Sequence, residues 1–392
     1  MSTASDHLMH VADKPKAVMV RGRGSWLYDR EGREYLDFVQ GWAVNLLGHC
    51  PDVVQRALAR QAAELVHAGP GLHNAVSGAL AEALAAGTRL DRVFIATSGA
   101  EANEGAIKLA RKWGAARRGG AYGLITTDGG LHGRTLPTMS ASGKPGWDAL
   151  FEPKVPGFHK VPFGDAAAVE AAIDDATVGI MVEPIQGEAG VVVPPEGYLR
   201  ELRAIADRHG LLLILDEIQT GMGRTGRLFA SEWENVCPDI VTVGKGLGAG
   251  VPISAVVARE EICCFEPGDQ GGTFAGNPLS CAVGLAVIET ISEPAFLERT
   301  LQASARLRSG LDAIALRHGG GRARGRGLLL ALPLARPVAI EVARIAFERG
   351  LLVNAPRPTT IRLVPALNVS DADIDVALER LEACIESALE VA

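Results

Sequence analysis

Lys245 is the residue in this chain best placed for covalent chemistry. It stands between Gly244 and Gly246 in DIVTVGKGLGAG (239–250), directly after an apolar, β-branched run. Flanking glycines let the backbone approach a ligand closely and leave the lysine without steric cover. A lysine that loses solvent there drops its pKa and becomes an amine nucleophile of the Schiff-base kind; the alternative is a surface lysine in a turn. Asp216 closes a second apolar run, LLLILDE (211–217). A carboxylate in that position is costly without a cation, so it is either a salt-bridged structural group or the partner of a protonated aromatic nitrogen. Ser98, Gly99 and Ala100 lie where a third run turns into helix. The free N–H groups of a first helical turn, aided by the helix dipole, suit a phosphate, although such residues also serve as plain caps. Glu183 ends a fourth run and is either part of the same constellation or an ordinary buried strand-end carboxylate.

The elements that must position these residues alternate along the chain. Apolar strands are read at 92–97, 122–127, 178–182, 211–215, 240–243 and 253–258, with helices at 102–113, 166–174 and 196–209. Near-continuous apolar strands alternating with helices imply an α/β fold with a mostly parallel sheet covered on both faces. Ligands of such sheets sit outside the carboxyl ends of the strands, where Ser98, Glu183, Asp216 and Lys245 all fall. Upstream, 18–45 reads as short antiparallel strands, followed by helices at 52–65 and 75–86. Trp42 leaves the strand pattern and is either core filler or a wall of a ligand pocket. Beyond about 294 the pattern becomes α+β: a long helix to 317, a turn GGGRARGRG (319–327) read as solvated, strands at 328–332 and 360–364, and a last helix over 371–389.

Bulk composition limits the function classes. With 392 residues, 47% hydrophobic and 22% charged, the chain is an ordinary globular protein of two or three domains. A net charge of -7 argues against nucleic acid or an anionic membrane as partner, and no apolar run approaches the ~18 residues of a membrane span. The first dozen residues read as a loose lead-in, not a signal peptide. Six cysteines without a CxxC read as reduced thiols of a cytoplasmic protein, and no metal-ligand spacing is found. A lysine amine near an aldehyde, an aspartate near a pyridinium nitrogen and a helix N-terminus for a phosphate are together what pyridoxal 5'-phosphate requires.

Seven stretches carry a resemblance to the class III, fold-type I pyridoxal-phosphate aminotransferases, most of all to their acetylornithine/ornithine branch. They are SGAEANEGAIKLARK (98–112), HGRT (132–135), VEPIQGEAGVVVP (182–194), LDEIQTGMGRTG (215–226), GKGLGAGVPISA (244–255), GGTFAGNPLSC (271–281) and RLVPALNVS (362–370), in the family's order. The resemblance implies that Lys245 carries the Schiff base, Asp216 pairs with the pyridine nitrogen and Gln219 approaches the phenolic oxygen. Ser98, Gly99 and Ala100 would hold the phosphate, with Thr273 reaching across from a partner subunit. Arg134 would bind the substrate carboxylate, and Glu188 would pair with Arg362 until a dicarboxylate displaces it. Glu183 would stand behind the cofactor.

The same resemblance implies a homodimer with active sites at the subunit interface. A large cofactor domain (56–293) would be joined by a smaller α+β domain built from 1–55 and 294–392. It also implies ping-pong transfer of the δ-amine of N2-acetylornithine to 2-oxoglutarate, giving glutamate, in arginine biosynthesis. Ornithine, succinylornithine or 4-aminobutyrate as donor, a decarboxylation or amino shift, and a non-catalytic use of the fold are the alternatives. Three positions depart from the family pattern. Leu131 replaces an aromatic residue over the ring, Gly272 replaces a serine near the substrate, and Trp42 stands about where ornithine enzymes carry a tyrosine, which counts against free ornithine.

Overall fold

The computed structural model describes residues 7–391; residues 1–6, half of the expected lead-in, lie outside them. Three short antiparallel strands open the chain: β1 (Met19–Arg23), β2 (Trp26–Asp29) and β3 (Glu34–Asp37). Next come the sheet strands β4 (Arg92–Ala96), β5 (Gly123–Thr127), β6 (Phe158–Val161), β7 (Thr177–Val182), β8 (Leu212–Asp216), β9 (Ile240–Val243) and β10 (Ser254–Ala258). They form one seven-stranded sheet in the order β4-β10-β9-β8-β7-β5-β6. All neighbours are parallel except β10, which runs against both β4 and β9. The mostly parallel α/β sheet read from the sequence is therefore present.

Both faces of this sheet are covered because its strands are apolar on both sides. Side chains alternate with period two along a strand, so β8 sends Leu212 and Ile214 one way and Leu213 and Leu215 the other. The first pair packs with Ala102, Ala106 and Leu109 of the helix Gly99–Arg117. The second packs with Leu199, Leu202 and Ile205 of the helix Tyr198–His209. Each such fully buried side chain contributes roughly 1.5–3 kcal/mol relative to an exposed one.

The remaining strands are β11 (Arg324–Arg326), β12 (Leu329–Pro333), β13 (Leu351–Leu352), β14 (Asn354–Arg357) and β15 (Thr360–Leu363). Four of them make a second sheet, β11-β12-β15-β14, while β13 joins the N-terminal sheet by pairing in parallel with β3. The arginine-rich turn is corrected in its second half only, since 319–322 is a mostly exposed turn. Arg324–Arg326 is a half-buried strand rather than a solvated loop, and its neighbours use their guanidinium groups to tie down backbone. Arg308 donates to the carbonyls of Ala323 (2.6 Å) and Gly325 (2.7 Å), and Arg324 to Gly190 (2.7 Å). Among the elements that escaped the sequence reading are strand β6 and the helices Leu136–Ala141 and Pro278–Ile291. The expected helix at 166–174 ends at Ala171. No single helix among the described residues is long and apolar enough to cross a membrane.

Candidate active site at the carboxyl edge of the sheet

Strand register brings the carboxylates together. Val182 pairs with Leu215 and Asp216 with Thr242, so Glu183, Asp216 and the segment leading to Lys245 leave the sheet side by side. Period two puts Asp216 on the face of Leu212 and Ile214, against the helix Gly99–Arg117. There Asn103 donates from Nδ2 to Asp216 Oδ2 at 2.8 Å and to the carbonyl of His132 at 2.6 Å. Thr242 Oγ1 donates in turn to Asn103 Oδ1 at 2.7 Å. His132 Nδ1 lies 2.7 Å from the same Asp216 oxygen. Burial works to lower the His132 pKa, but the hydrogen bond and charge of Asp216, with Glu183 behind, prevail and raise it. Asp216 Oδ1 accepts only the Ile218 N–H among the described residues, at 3.1 Å, and so keeps capacity for a further donor.

Asn103 and His132 were not singled out from the sequence. The signal for Asn103 is a polar residue on the apolar stripe made by Ala102, Ala106 and Ala110; the signal for His132 is its place beside Arg134.

Lys245 begins a 3₁₀ turn after β9 with φ of +41°, a left-handed conformation that non-glycine residues rarely adopt. It forms no ion pair among the described residues. Burial lowers its pKa, opposed by the charges of Glu188, Asp216 and Glu183 and assisted by Arg362. Gln219 is buried, and its Oε1 has no partner among the described residues. A Cβ on residue 187 would fall 1.6 Å from that oxygen, so glycine at 187 is what leaves Gln219 room.

At the helix start Ser98 also serves as a cap. Ser98 forms a full capping box: its Oγ accepts the Glu101 N–H at 3.4 Å, and Glu101 Oε2 accepts the N–H groups of Thr97 and Ser98 at 2.8 Å. The Ser98 N–H is therefore committed to Glu101. Those of Gly99 and Ala100 have no acceptor among the described residues and remain at the positive end of the dipole.

Arg362 is 1% exposed and its Nη1 donates to Glu188 Oε1 at 2.6 Å and to the Gly187 carbonyl at 2.9 Å. Burial would raise the Glu188 carboxyl, but the charge and hydrogen bond of Arg362 hold it below its ordinary value. Arg134 has no ion-pair partner among the described residues and lies 4.8 Å over the ring of Trp147. Glu183 Oε1 accepts the Leu131 N–H at 2.8 Å. Its burial, with the nearby Asp216 charge, pushes its carboxyl up to about 7.

Gly272 and Thr273 lie on an exposed loop, with no hydrogen bond to this network among the described residues. Trp42 is 52% exposed and is not core filler. It sits in a left-handed turn, with φ of 48°, 61°, 62° and 66° at Gln40, Gly41, Trp42 and Ala43. Such a conformation costs about 1–2 kcal/mol per non-glycine residue. Asp37 holds it in place by accepting the N–H groups of Val39 and Gln40 at 2.8 Å.

A family model described as aminotransferase class-III matches residues 8–385. The acetylornithine aminotransferase 2 of Bordetella bronchiseptica is 53% identical over 96% of both chains. The acetylornithine aminotransferase of Ralstonia nicotianae is 49% identical over 97% of both. Among solved structures, the N-acetylornithine aminotransferase of Stenotrophomonas maltophilia superposes with a TM-score of 0.86 at 34% identity, covering 99% of each chain. An ornithine aminotransferase of Toxoplasma gondii, with pyridoxal phosphate in partial occupancy at its active site, gives 0.93 at 34% identity, covering 98% of this chain and 93% of its own.

Proposed function

The chain belongs to the class-III aminotransferases, and on that premise we propose that it moves the δ-amino group of N2-acetylornithine to 2-oxoglutarate. The products are N-acetylglutamate semialdehyde and glutamate, a step of arginine biosynthesis. The observation that carries this reading is the pairing of the two arginines. Arg134 has no ion-pair partner among the described residues, whereas Arg362 is held by Glu188 at 2.6 Å. One anchor thus stands open for a donor with a single carboxylate, and a second is released only for a dicarboxylate. The similarity to acetylornithine aminotransferases along nearly the whole chain supports the same donor.

The residues present fit pyridoxal 5'-phosphate. Gly99 and Ala100 offer N–H groups to its phosphate, Asp216 keeps an oxygen for its ring nitrogen, Gln219 stands for its phenolic oxygen, and Leu131 offers an apolar cover. The bound cofactor supplies the carbonyl that exchanges for the donor's amine and a ring that takes up the electron pair released at the amine-bearing carbon. Asp216, fixed by Asn103 and His132, would keep the ring nitrogen protonated. Lys245 Nζ, depressed in pKa by burial, would take the proton from the amine-bearing carbon and return it to the carbon that had carried the cofactor's carbonyl oxygen. Arg134 fixes the donor by its carboxylate.

The proposal extends to a homodimer in which Thr273 of each subunit serves the other's site, supported by the exposure of that loop in the single chain. It also includes a smaller domain drawn from 1–55 and 294–392 around a cofactor domain of 56–293, supported by the pairing of β3 with β13. A cytoplasmic location is supported by six free thiols, two of them exposed. Ornithine as donor is the second reading, drawn from the closer backbone match to the Toxoplasma gondii enzyme.

A single-turnover half-reaction tests the choice of donor. Cofactor absorbance near its visible maximum should bleach rapidly with N-acetylornithine and slowly with ornithine or 4-aminobutyrate. Faster bleaching by either of the latter would overturn the assignment.

A further inference from the structure

The mouth of the site carries more positive charge than its own carboxylates answer. Arg134 and Lys144 lie over one aromatic ring, with the guanidinium carbon 4.8 Å and the ammonium nitrogen 5.2 Å from the centroid of Trp147. Trp147 is only 7% exposed, so this platform is fixed. Lys144 is itself half-buried, in the turn after the helix Leu136–Ala141, and forms no ion pair among the described residues. Burial first, and then the charge of Arg134, lower its pKa, with smaller contributions from Arg357 and Arg362 and opposition from Glu188. That carboxylate is already bonded to Arg362.

A part-buried ammonium that shares the Trp147 ring with one guanidinium pays some desolvation and repulsion together. A lysine with no role there has a flexible stem and would turn outward to solvent. The face of Trp147 offsets part of this cost, and an incoming anion offsets the rest. We infer that Lys144 is a second cation for the carboxylate end of the substrate, seated beside Arg134 on Trp147, and that it sets the preference for carboxylate-bearing donors and acceptors. The two cations divide the work: Arg134 fixes orientation through its planar fork, and Lys144 adds a point charge that tolerates small changes of position. The inference rests on the proposed reading for the identity of the donor, but not for the presence of a carboxylate subsite.

The test compares the holoenzyme with Lys144→Met and Lys144→Arg on two donors, N-acetylornithine and N-acetyl-1,4-diaminobutane, which is the same molecule without its carboxylate. Lys144→Met should raise KM for N-acetylornithine about tenfold, the loss of one charge-assisted contact, with kcat within about threefold. It should leave kcat/KM for the decarboxylated donor unchanged, and Lys144→Arg should restore most of the lost affinity. Equal losses on both donors would mean a structural role and overturn the inference, as would an unchanged KM. Glutarate, which neither gives nor takes an amine, separates the two levels. Its Kd, read by tryptophan fluorescence, should rise about tenfold in Lys144→Met and recover in Lys144→Arg. An unchanged Kd defeats the role of Lys144 even if the donor reading stands. Wild-type protein that binds glutarate with the Lys144 dependence but ignores N-acetylornithine defeats the donor reading alone.

Discussion

Asp216 was legible in the sequence because five apolar residues precede a carboxylate that nothing local could partner. Its actual partners were not legible, since Asn103 is 113 residues away in sequence and His132 84, and only the sheet register sets them against it. Glu183 illustrates the same limit: its place at a strand end could be read, its ionisation could not. Its carboxyl is pushed up to about 7, above the ordinary 4.5. A carboxyl raised in the folded state favours folding fully below its unfolded value, and that contribution is lost as pH rises through the folded value. Between 4.5 and about 7 the wild type therefore loses stability that a neutral amide would keep. Glu183→Gln retains an oxygen for the Leu131 N–H, so its melting temperature should match wild type near pH 4.5 and exceed it by pH 8. Differential scanning fluorimetry across that range checks this. A gap that stays constant, or that closes as pH rises, would contradict the account.

Arg224 shows how one element is held by another. It is fully buried with no carboxylate partner among the described residues, and burial lowers its guanidinium to about 9. Nη1 donates to the carbonyls of Leu328 (3.0 Å) and Pro365 (2.6 Å), joining the loop after β8 to the chain beside β12 and β15. Arg224→Ala would strand both carbonyls and leave a cavity, against the relief of a buried charge. The net loss should be roughly 2–4 kcal/mol, seen as a lower denaturant midpoint; an unchanged midpoint would show that the link contributes nothing.

The elements that sequence reading found are those with a clean period or an unbroken apolar strand. The helix Pro278–Ile291 escaped because it is apolar almost all round, with Cys281, Val283, Val287 and Ile291 buried on several sides. No amphipathic stripe exists to be read there. Strand β13 is two residues long, too short for any pattern, and the arginine-rich strand was hidden because buried guanidinium groups that bind carbonyls look like surface charge in a string of letters.

At the scale of the whole molecule, the proposed dimer makes a prediction that no single chain could satisfy. Lys245→Ala and Thr273→Ala subunits, each impaired alone, should regain activity when mixed and refolded together. A hybrid dimer then holds one site with both Lys245 and the Thr273 of a partner subunit. The recovered rate per hybrid should be about half that of wild type, as one of two sites is whole. No recovery beyond the Thr273→Ala homodimer would mean that the residue serves its own chain.

The parallel pairing of Leu36 with Leu351 also has a consequence in time. During synthesis at about 5–20 residues per second, β3 leaves the ribosome roughly 15–60 s before the strand that completes its sheet. For that interval the newborn chain carries an open β edge, and its first-made strands are among the last to be closed.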